Sequence, residues 1–336
     1  MITELNTKMN LEHGEWKPET PIILPPLFVW PPRPLVLLKY FFGYPGYLLP
    51  WNLGYMTLAI VTWLFLTPDI SRMSSFEAGW IATIYLRNFV LLVLVSGGLH
   101  YYLYILKAQD TRYKFNSRWQ SVHHRRFIFQ HQTWDNIFWS TVSGCSIWSA
   151  YEVLTFWAYE NGLLPYADWH AHPVYFIFLF CAIPIIRDAH FYLVHRLLHH
   201  RLLYKTIHYI HHKNVNIGPW SGLSMHPIEH LLYFSGVIVH WIIMSHPLHA
   251  IFHLQHTGLT PALGHSGFGK LVLKGESSIS LGQKYFHYLH HRYFECNYGG
   301  DGTVPLDKWF GTFHDGSNAS HAIMRKRPRQ AHGKGE

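Results

Sequence analysis

Residues 188–212 read DAHFYLVHRLLHHRLLYKTIHYIHH, and the histidine spacings in this run decide how the chain folds. His195 and His199 stand four residues apart, and His208, His211 and His212 follow as HxxHH. The same pattern returns later as His287-Tyr-Leu-His290-His291. Spacings of three and four put side chains on one face of a helix. The flanking Phe191-Tyr-Leu-Val and Leu202-Leu-Tyr-Lys-Thr-Ile favour helix. In HxxxH two imidazoles stack one turn apart. In HxxHH the first histidine is expected to see both later ones, so that three nitrogens share one centre. Neutral imidazole suits iron, zinc and copper. Eight clustered histidines are more than one metal can use, and they suit two. Soluble di-iron bundles mix Glu with Glu-x-x-His pairs, but here the nearby carboxylates are few: Asp188, Glu229 and Glu295.

Between the boxes sit His226-Pro-Ile-Glu-His230 and a lone His265 in Gly-His-Ser-Gly-Phe. His190 precedes His195 by five residues, about 140° round the helix, and points away from that pair. His100, His131, His240, His246 and His249 stand alone and read as structural residues.

The flanking sequence places this cluster at a membrane. Hydrophobic residues make up 49% of the 336 and charged residues 14%, well below the roughly 25% of soluble proteins. Of 28 histidines, 21 lie from His190 onward, so the chain divides into an apolar first half and a histidine-laden second half. The net charge of +8 resides in loops and the C-terminal stretch, which fits a cytoplasmic membrane face better than nucleic acid. Cys145, Cys181 and Cys296 are far apart, so neither a disulfide framework nor a cysteine zinc site is expected. The first 20 residues are polar and mixed in charge, unlike a cleavable signal peptide.

Four regions follow. Residues 1–33 are a polar, then proline-rich lead-in, and 34–186 form the transmembrane region. Residues 187–315 are the histidine-box domain, and 316–336 are a basic tail, expected to be disordered, carrying Arg325, Lys326, Arg327 and Arg329. About four spans are expected, near 53–67, 79–106, 136–159 and 173–186. The stretch 231–254, interrupted at Ser245-His246-Pro247, reads as a hairpin dipping in and out. Lys107 to Arg126 is basic, 127–186 holds no Lys or Arg, and 160–172 is acidic. The positive-inside rule then puts the basic loop, Arg187 and every histidine cluster on the cytoplasmic face. The architecture is all-α: a membrane bundle with a cytoplasmic helical cap that carries a di-metal site.

From Asp188 to Gly311 the sequence resembles the sterol desaturase and fatty acid hydroxylase superfamily. The motifs run in order: Asp188, His195-Arg-x-x-His199, the His208 box, His226-Pro-x-Glu229, Gly264-His-Ser-Gly-Phe268, the His287 box with Asn297-Tyr-Gly299, and Leu306-Asp-x-Trp-Phe-Gly-Thr312. Methylsterol oxidases are the most similar members around Gly264–Phe268 and His287–Tyr298, with sterol C5 desaturases next. The resemblance implies metal ligands at His195, His199, His208, His211, His212, His287, His290 and His291, with His265 as a ninth. His200 competes with His199, because some members space this pair differently. His226 is a ligand or a residue behind one, and His230 lies one turn further on. Asp188, Glu229 and Asp307 are candidates to accept the second N–H of ligating imidazoles, although Asp307, Trp309 and Phe310 also read as closing the domain.

The expected activity is that of a di-iron oxygenase that hydroxylates or desaturates a lipid, most of all a sterol, with zinc entering overexpressed protein readily. A fatty acyl, sphingolipid or other lipid hydroxylase is the alternative. The chain shows no dinucleotide fingerprint, no iron–sulfur cysteines and no cytochrome motif. O2 is therefore the co-substrate, and electrons come from a separate reductase or cytochrome. Trp134, Trp139 and Trp148 are more at home facing lipid than lining a substrate pocket. Two rivals come from other classes. A di-haem electron carrier would use single histidines on opposite helices, and a metal transporter would spread its ligands along the spans.

Overall fold

Runs rich in Leu, Val and Ile become helices, the form in which a chain satisfies its own backbone polar groups without water. The computed structural model describes residues 15–275, 277–282 and 284–327. After a short helix α1 (Pro34–Phe42) come α2 (Leu48–Phe65) and α3 (Ala78–Ile105), then a helix α4 (132–160), then α5 (Pro173–Leu198). Among the described residues α2, α3 and α5 are long and apolar enough to cross a membrane. The 28 residues of α3 rise roughly 42 Å, beyond the roughly 30 Å of a hydrocarbon core. Leu86, Val90, Leu94 and Ile105 on α3 point outward and are exposed, an apolar face suited to lipid.

About four spans were expected, and α4 differs from the other three in composition rather than length. It runs unbroken from Gln132–Phe138 through π-type turns at Trp139–Cys145 into Ser146–Glu160. Its inner face is polar, with Asp135, Asn136, Ser140, Ser149 and Glu152 all buried. Each needs a partner inside the bundle. Glu152 forms an ion pair with Arg87 of α3 and accepts from Asn88 Nδ2 at 2.9 Å. Asp135 pairs with Lys213 at 2.5 Å.

Beyond α6 (201–212) the chain makes the expected hairpin, from α7 (227–242) and α8 (Pro247–Gly264). It is no shallow dip. Ser245 N donates to Pro165 O at 3.1 Å, and Ala167 N donates to Ser245 O at 3.0 Å. The hairpin tip therefore meets the 160–172 loop, at the end of the bundle where α4 stops and α5 starts. All but two of the 18 residues of α8 are buried, and its polar side chains find partners inside the bundle, Gln255 Nε2 donating to Thr62 Oγ1 at 2.8 Å and His256 Nε2 meeting Asn52 Oδ1 at 3.0 Å. It is the central post against which α2, α4 and α5 pack. At Gly258 a Cβ would lie 2.7 Å from the Trp148 ring, so glycine is what lets α8 approach α4.

Three other expectations change. The boundary between 186 and 187 falls inside α5, where Arg187 is buried rather than emerging at the surface, because the helix continues to carry the first histidine box. Residues 270–280 form a two-stranded hairpin, β1 (Lys270–Lys274) and β2 (Ser277–Ser280), in an otherwise helical chain. The tail is helical over Asn318–Lys326, where Met324 is buried against Leu289 and Cys296. Arg329 lies outside the described residues, as do 1–14 of the lead-in. The basic 107–126 loop packs onto the histidine end, with Phe115 N donating to Gly267 O at 2.9 Å.

The Arg87–Glu152 pair sets the first prediction. Removing either partner strands a buried charge and should cost about 3–5 kcal/mol. Arg87→Leu combined with Glu152→Leu should cost clearly less than the two losses summed. Thermal unfolding of the four proteins in detergent measures this, and simple additivity would show that the two charges do not stabilise each other.

Candidate metal centre

The C-terminal end of α5 carries His195 and His199, and α6 carries His208, His211 and His212. His265 caps α8, and α9 (Lys284–Tyr293) carries His287, His290 and His291. The fold draws these nine buried side chains into two groups. One comprises His195, His199, His208, His212 and His290, the other His211, His265, His287 and His291. Within each group the facing ring nitrogens all lie within 4.8 Å of one another. The Nε2 atoms of His199, His212 and His290 form a triangle with all three sides 3.1 Å. His195 Nε2 lies 3.0 Å from His208 Nε2, and His265 Nε2 lies 3.0 Å from His291 Nε2. A metal–imidazole bond is roughly 2.0–2.1 Å, so two such bonds at right angles put their nitrogens roughly 3 Å apart.

The expectation that one HxxHH box serves one centre is corrected here. His208 and His212 join the first group and His211 the second, while His290 joins the first and His287 and His291 the second. Consecutive helical residues diverge by roughly 100°, so His211 and His212 cannot face one point. Each box straddles both groups and fixes their separation. The groups abut where His212 stacks on His291, with ring centroids 4.8 Å apart.

The outer nitrogens show what the inner ones offer. Nδ1 of His195, His265 and His290 donates to the carbonyls of Tyr298 at 2.7 Å, Pro261 at 3.1 Å and Cys296 at 2.7 Å. A carbonyl only accepts, so these rings keep their proton on Nδ1 and turn a bare Nε2 lone pair inward. His208 Nδ1 meets Glu229 Oε1 at 2.7 Å. Burial holds His208 and His265 down to about 3, and holds His211, His212, His287, His290 and His291 well below their ordinary value. Burial pushes the Glu229 carboxyl well up. Neutral rings with converging lone pairs are a cation site by the chemistry of their donors, and nine ligands in two groups fit two ions.

The remaining candidates sit elsewhere. His200 is exposed and belongs to neither group. His226 caps α7, its Nδ1 accepting from Ile228 N at 3.2 Å. His230 bonds to Ser143 Oγ and Leu223 O, each at 3.0 Å. His190 Nε2 faces Ser235 Oγ at 3.0 Å. Asp188 reaches no histidine; its Oδ2 accepts from Val304 N at 2.7 Å, because it faces the 300–304 loop. Asp307, on α10 (Leu306–Trp309), acts one step back. It accepts from Tyr298 N at 2.9 Å and Gly299 N at 2.8 Å, and so steadies the carbonyl that holds His195. His249 Nε2 donates to Phe176 O at 2.9 Å, His246 caps α8 by accepting from Leu248 N at 3.0 Å, and His240 meets His253 at 3.1 Å. The carbonyl partners escape sequence reasoning, since any residue supplies one.

A cavity of about 390 Å³ adjoins the centre, within the usual range for a small-molecule site. Its lining includes His211, His265 and His287 but no member of the five-histidine group. Trp51, Tyr55, Phe191, Met225, Leu263 and Leu281 supply its apolar walls. The β1–β2 hairpin closes one side, and Trp51 Nε1 donates to Ser280 O at 3.2 Å.

Residues 180–312, which carry the nine histidines, match the fatty acid hydroxylase family. Their sequence is similar to that of methylsterol monooxygenases and sterol 5(6)-desaturases. A Dictyostelium discoideum protein provisionally named a methylsterol monooxygenase is 32% identical over 139 residues, 41% of this chain and 51% of its own. A Delta(7)-sterol 5(6)-desaturase of Gibberella zeae is 30% identical over 37% of this chain and 38% of its own. Methylsterol monooxygenase 1 of Gallus gallus is 29% identical over 47% of this chain and 54% of its own. The matched stretch thus spans about half or less of each relative. No solved structure matches the chain.

Glu229 sets the second prediction. It orients His208, and losing such a partner typically weakens metal affinity about 10- to 100-fold. Glu229→Gln should weaken zinc retention by that factor in chelator competition, while Glu295→Gln leaves it unchanged. Equal retention in both would show that Glu229 does not tune the site.

Proposed function

We propose that the protein is a multi-pass membrane oxygenase in which two iron ions, held by the nine histidines, oxidise a lipid, most of all a sterol-type one. The observation that carries this reading is the pair of buried histidine groups with lone pairs converging at about 3 Å, one of them bordering a mostly apolar cavity. Bound there, two irons would supply O2 activation and the redox steps needed at an unactivated C–H bond. The chain's own residues do the rest. The carbonyls of Tyr298, Pro261 and Cys296 and the Glu229 carboxylate hold the ring protons outward. A cation beside His208 favours the ionised form of Glu229 against its burial. Phe191, Tyr55, Leu263 and Leu281 exclude water and hold apolar carbon near His211, His265 and His287.

The sterol preference follows from similarity to methylsterol monooxygenases and sterol desaturases. Electrons come from a donor outside these 336 residues, which carry no flavin, haem or iron–sulfur motif. A di-haem carrier fits poorly, because nitrogens 3.0–3.1 Å apart leave no room for a porphyrin between them. The basic 107–126 loop lies at the histidine end and the acidic 160–172 loop at the other, which by the charge rule supports a cytoplasmic active site.

The third prediction tests this reading directly. Membranes from iron-replete cells are incubated with sterols or acyl lipids, O2, NAD(P)H and a cytochrome reductase. Sterol oxidation that needs both O2 and the reductase is expected, with close to two metals per purified chain. Oxidation of acyl chains alone would replace the sterol assignment, and turnover without O2 would end the oxygenase reading. His211→Ala and His291→Ala should abolish turnover without preventing membrane insertion, while His246→Ala keeps most of it. A cysteine probe at Ser317 should label from the cytoplasmic side only.

A further inference from the structure

Inside the cavity, away from the histidines, lies a buried guanidinium with an unused donor. Arg187 sits on α5 and lines the cavity, yet is only 8% exposed. Its Nη2 donates to Tyr233 Oη at 2.8 Å, and its Nε has no partner among the described residues. Two carboxylates, Asp188 and the cavity-lining Asp301, lie near enough to offset part of its charge, but their hydrogen bonds go to other groups. Asp188 Oδ2 takes Val304 N, and Asp301 Oδ1 takes Thr303 Oγ1 at 2.8 Å. No ion pair to Arg187 forms among the described residues. Gly300 passes close by: a Cβ there would lie 3.3 Å from Arg187 Nη1 and 3.5 Å from Asp188 Oδ1. Lys284 adds a second cation to the same lining.

The bland account is that aromatic faces suffice. The guanidinium carbon lies 5.3 Å from the Phe191 ring and 5.9 Å from that of Tyr233. Such contacts offset only a small part of the cost of burying a charge. An ionisable group in a helix fit to cross a membrane is retained where it has a partner to meet. Arg187, Phe191 and His195 are spaced by four on one face of α5, and the Phe191 ring centroid lies 6.0 Å from that of His287. Arg187 therefore stands two turns, roughly 12 Å of helix axis, from the histidine layer. A molecule reaching from one to the other would lie along Phe191.

We infer that Arg187, with Tyr233 beside it, is the docking point for a carboxylate on the lipid substrate, so that the cavity selects acidic lipids over their neutral counterparts. A carboxylate suits the vacant guanidinium edge, which offers planar, paired donors. This deepens the oxygenase reading and rests on it for the word substrate, but its test needs no turnover.

Purified protein in detergent is titrated with two matched pairs: cholanic acid against methyl cholanate, and palmitic acid against methyl palmitate. Wild-type protein should bind at least one acid about tenfold or more tightly than its ester, the factor expected of one charge-assisted hydrogen bond. Arg187→Gln should erase that preference, Arg187→Lys should keep part of it, and Arg118→Gln, on an exposed loop, should leave it intact. Equal binding of acid and ester by wild-type protein overturns the inference even if Arg187→Gln fails to fold. A preference that survives in Arg187→Gln overturns it too. Failure of oxygenase turnover would leave the binding ratio standing, so the two readings fail separately.

Discussion

An imidazole can offer only one lone pair, and which nitrogen offers it depends on where the proton is held. The centre is built on that constraint. Tyr298, Pro261 and Cys296 take the proton of three rings through main-chain oxygens, and Glu229 takes that of a fourth. Everything behind those acceptors keeps them in place. Asp307 fixes the Tyr298–Gly299 backbone, and Asn297 ties the same loop to Phe286 O and His314 O. Loosening any of these would let a ring turn and put a proton where a lone pair is wanted.

The bundle serves the same end by bringing distant segments together without water. The first two boxes lie about 80 residues before the third in sequence, and the chain between them travels the depth of the bundle and back. Buried α8 provides the return path and delivers His265. Polar contacts hold the far parts in register: Lys213, directly after the second box, pairs with Asp135 of α4, and Gln132 Nε2 meets Asn214 Oδ1 at 3.0 Å. These contacts explain why α4 sacrifices apolar character that a span would otherwise carry.

The parts of this site legible in the sequence were those encoded by spacing. Histidines three and four apart announce a helical face wherever they occur, and the nine expected residues are the nine that the fold gathers. The splitting of each box was harder to see, though the clue was present: two adjacent histidines cannot share a direction on a helix. Arg187 misled because a positive charge after an apolar run normally marks the membrane surface, whereas here it is buried against a cavity. The 231–254 stretch reads as a hairpin from its Ser245-His246-Pro247 break, but nothing local records that Ser245 will meet Pro165. Asp188 matched a family motif, but the backbone of Val304, more than a hundred residues away, competes for its carboxylate.

The two histidine groups are unequal, and the inequality bears on how such a centre would work. Five nitrogens enclose one position away from the cavity, while the four-histidine position has three of its members at the cavity wall. A site surrounded by protein ligands tends to be structural or to tune its neighbour, whereas a site with an open side accepts substrate or a small molecule. On the proposed reading the division of labour follows: the enclosed position anchors the pair, and the position at His211, His265 and His287 faces the carbon to be oxidised. Phe191 stands between that position and Arg187, so the wall that guides apolar carbon to the histidines also separates them from the buried guanidinium at the cavity's other side.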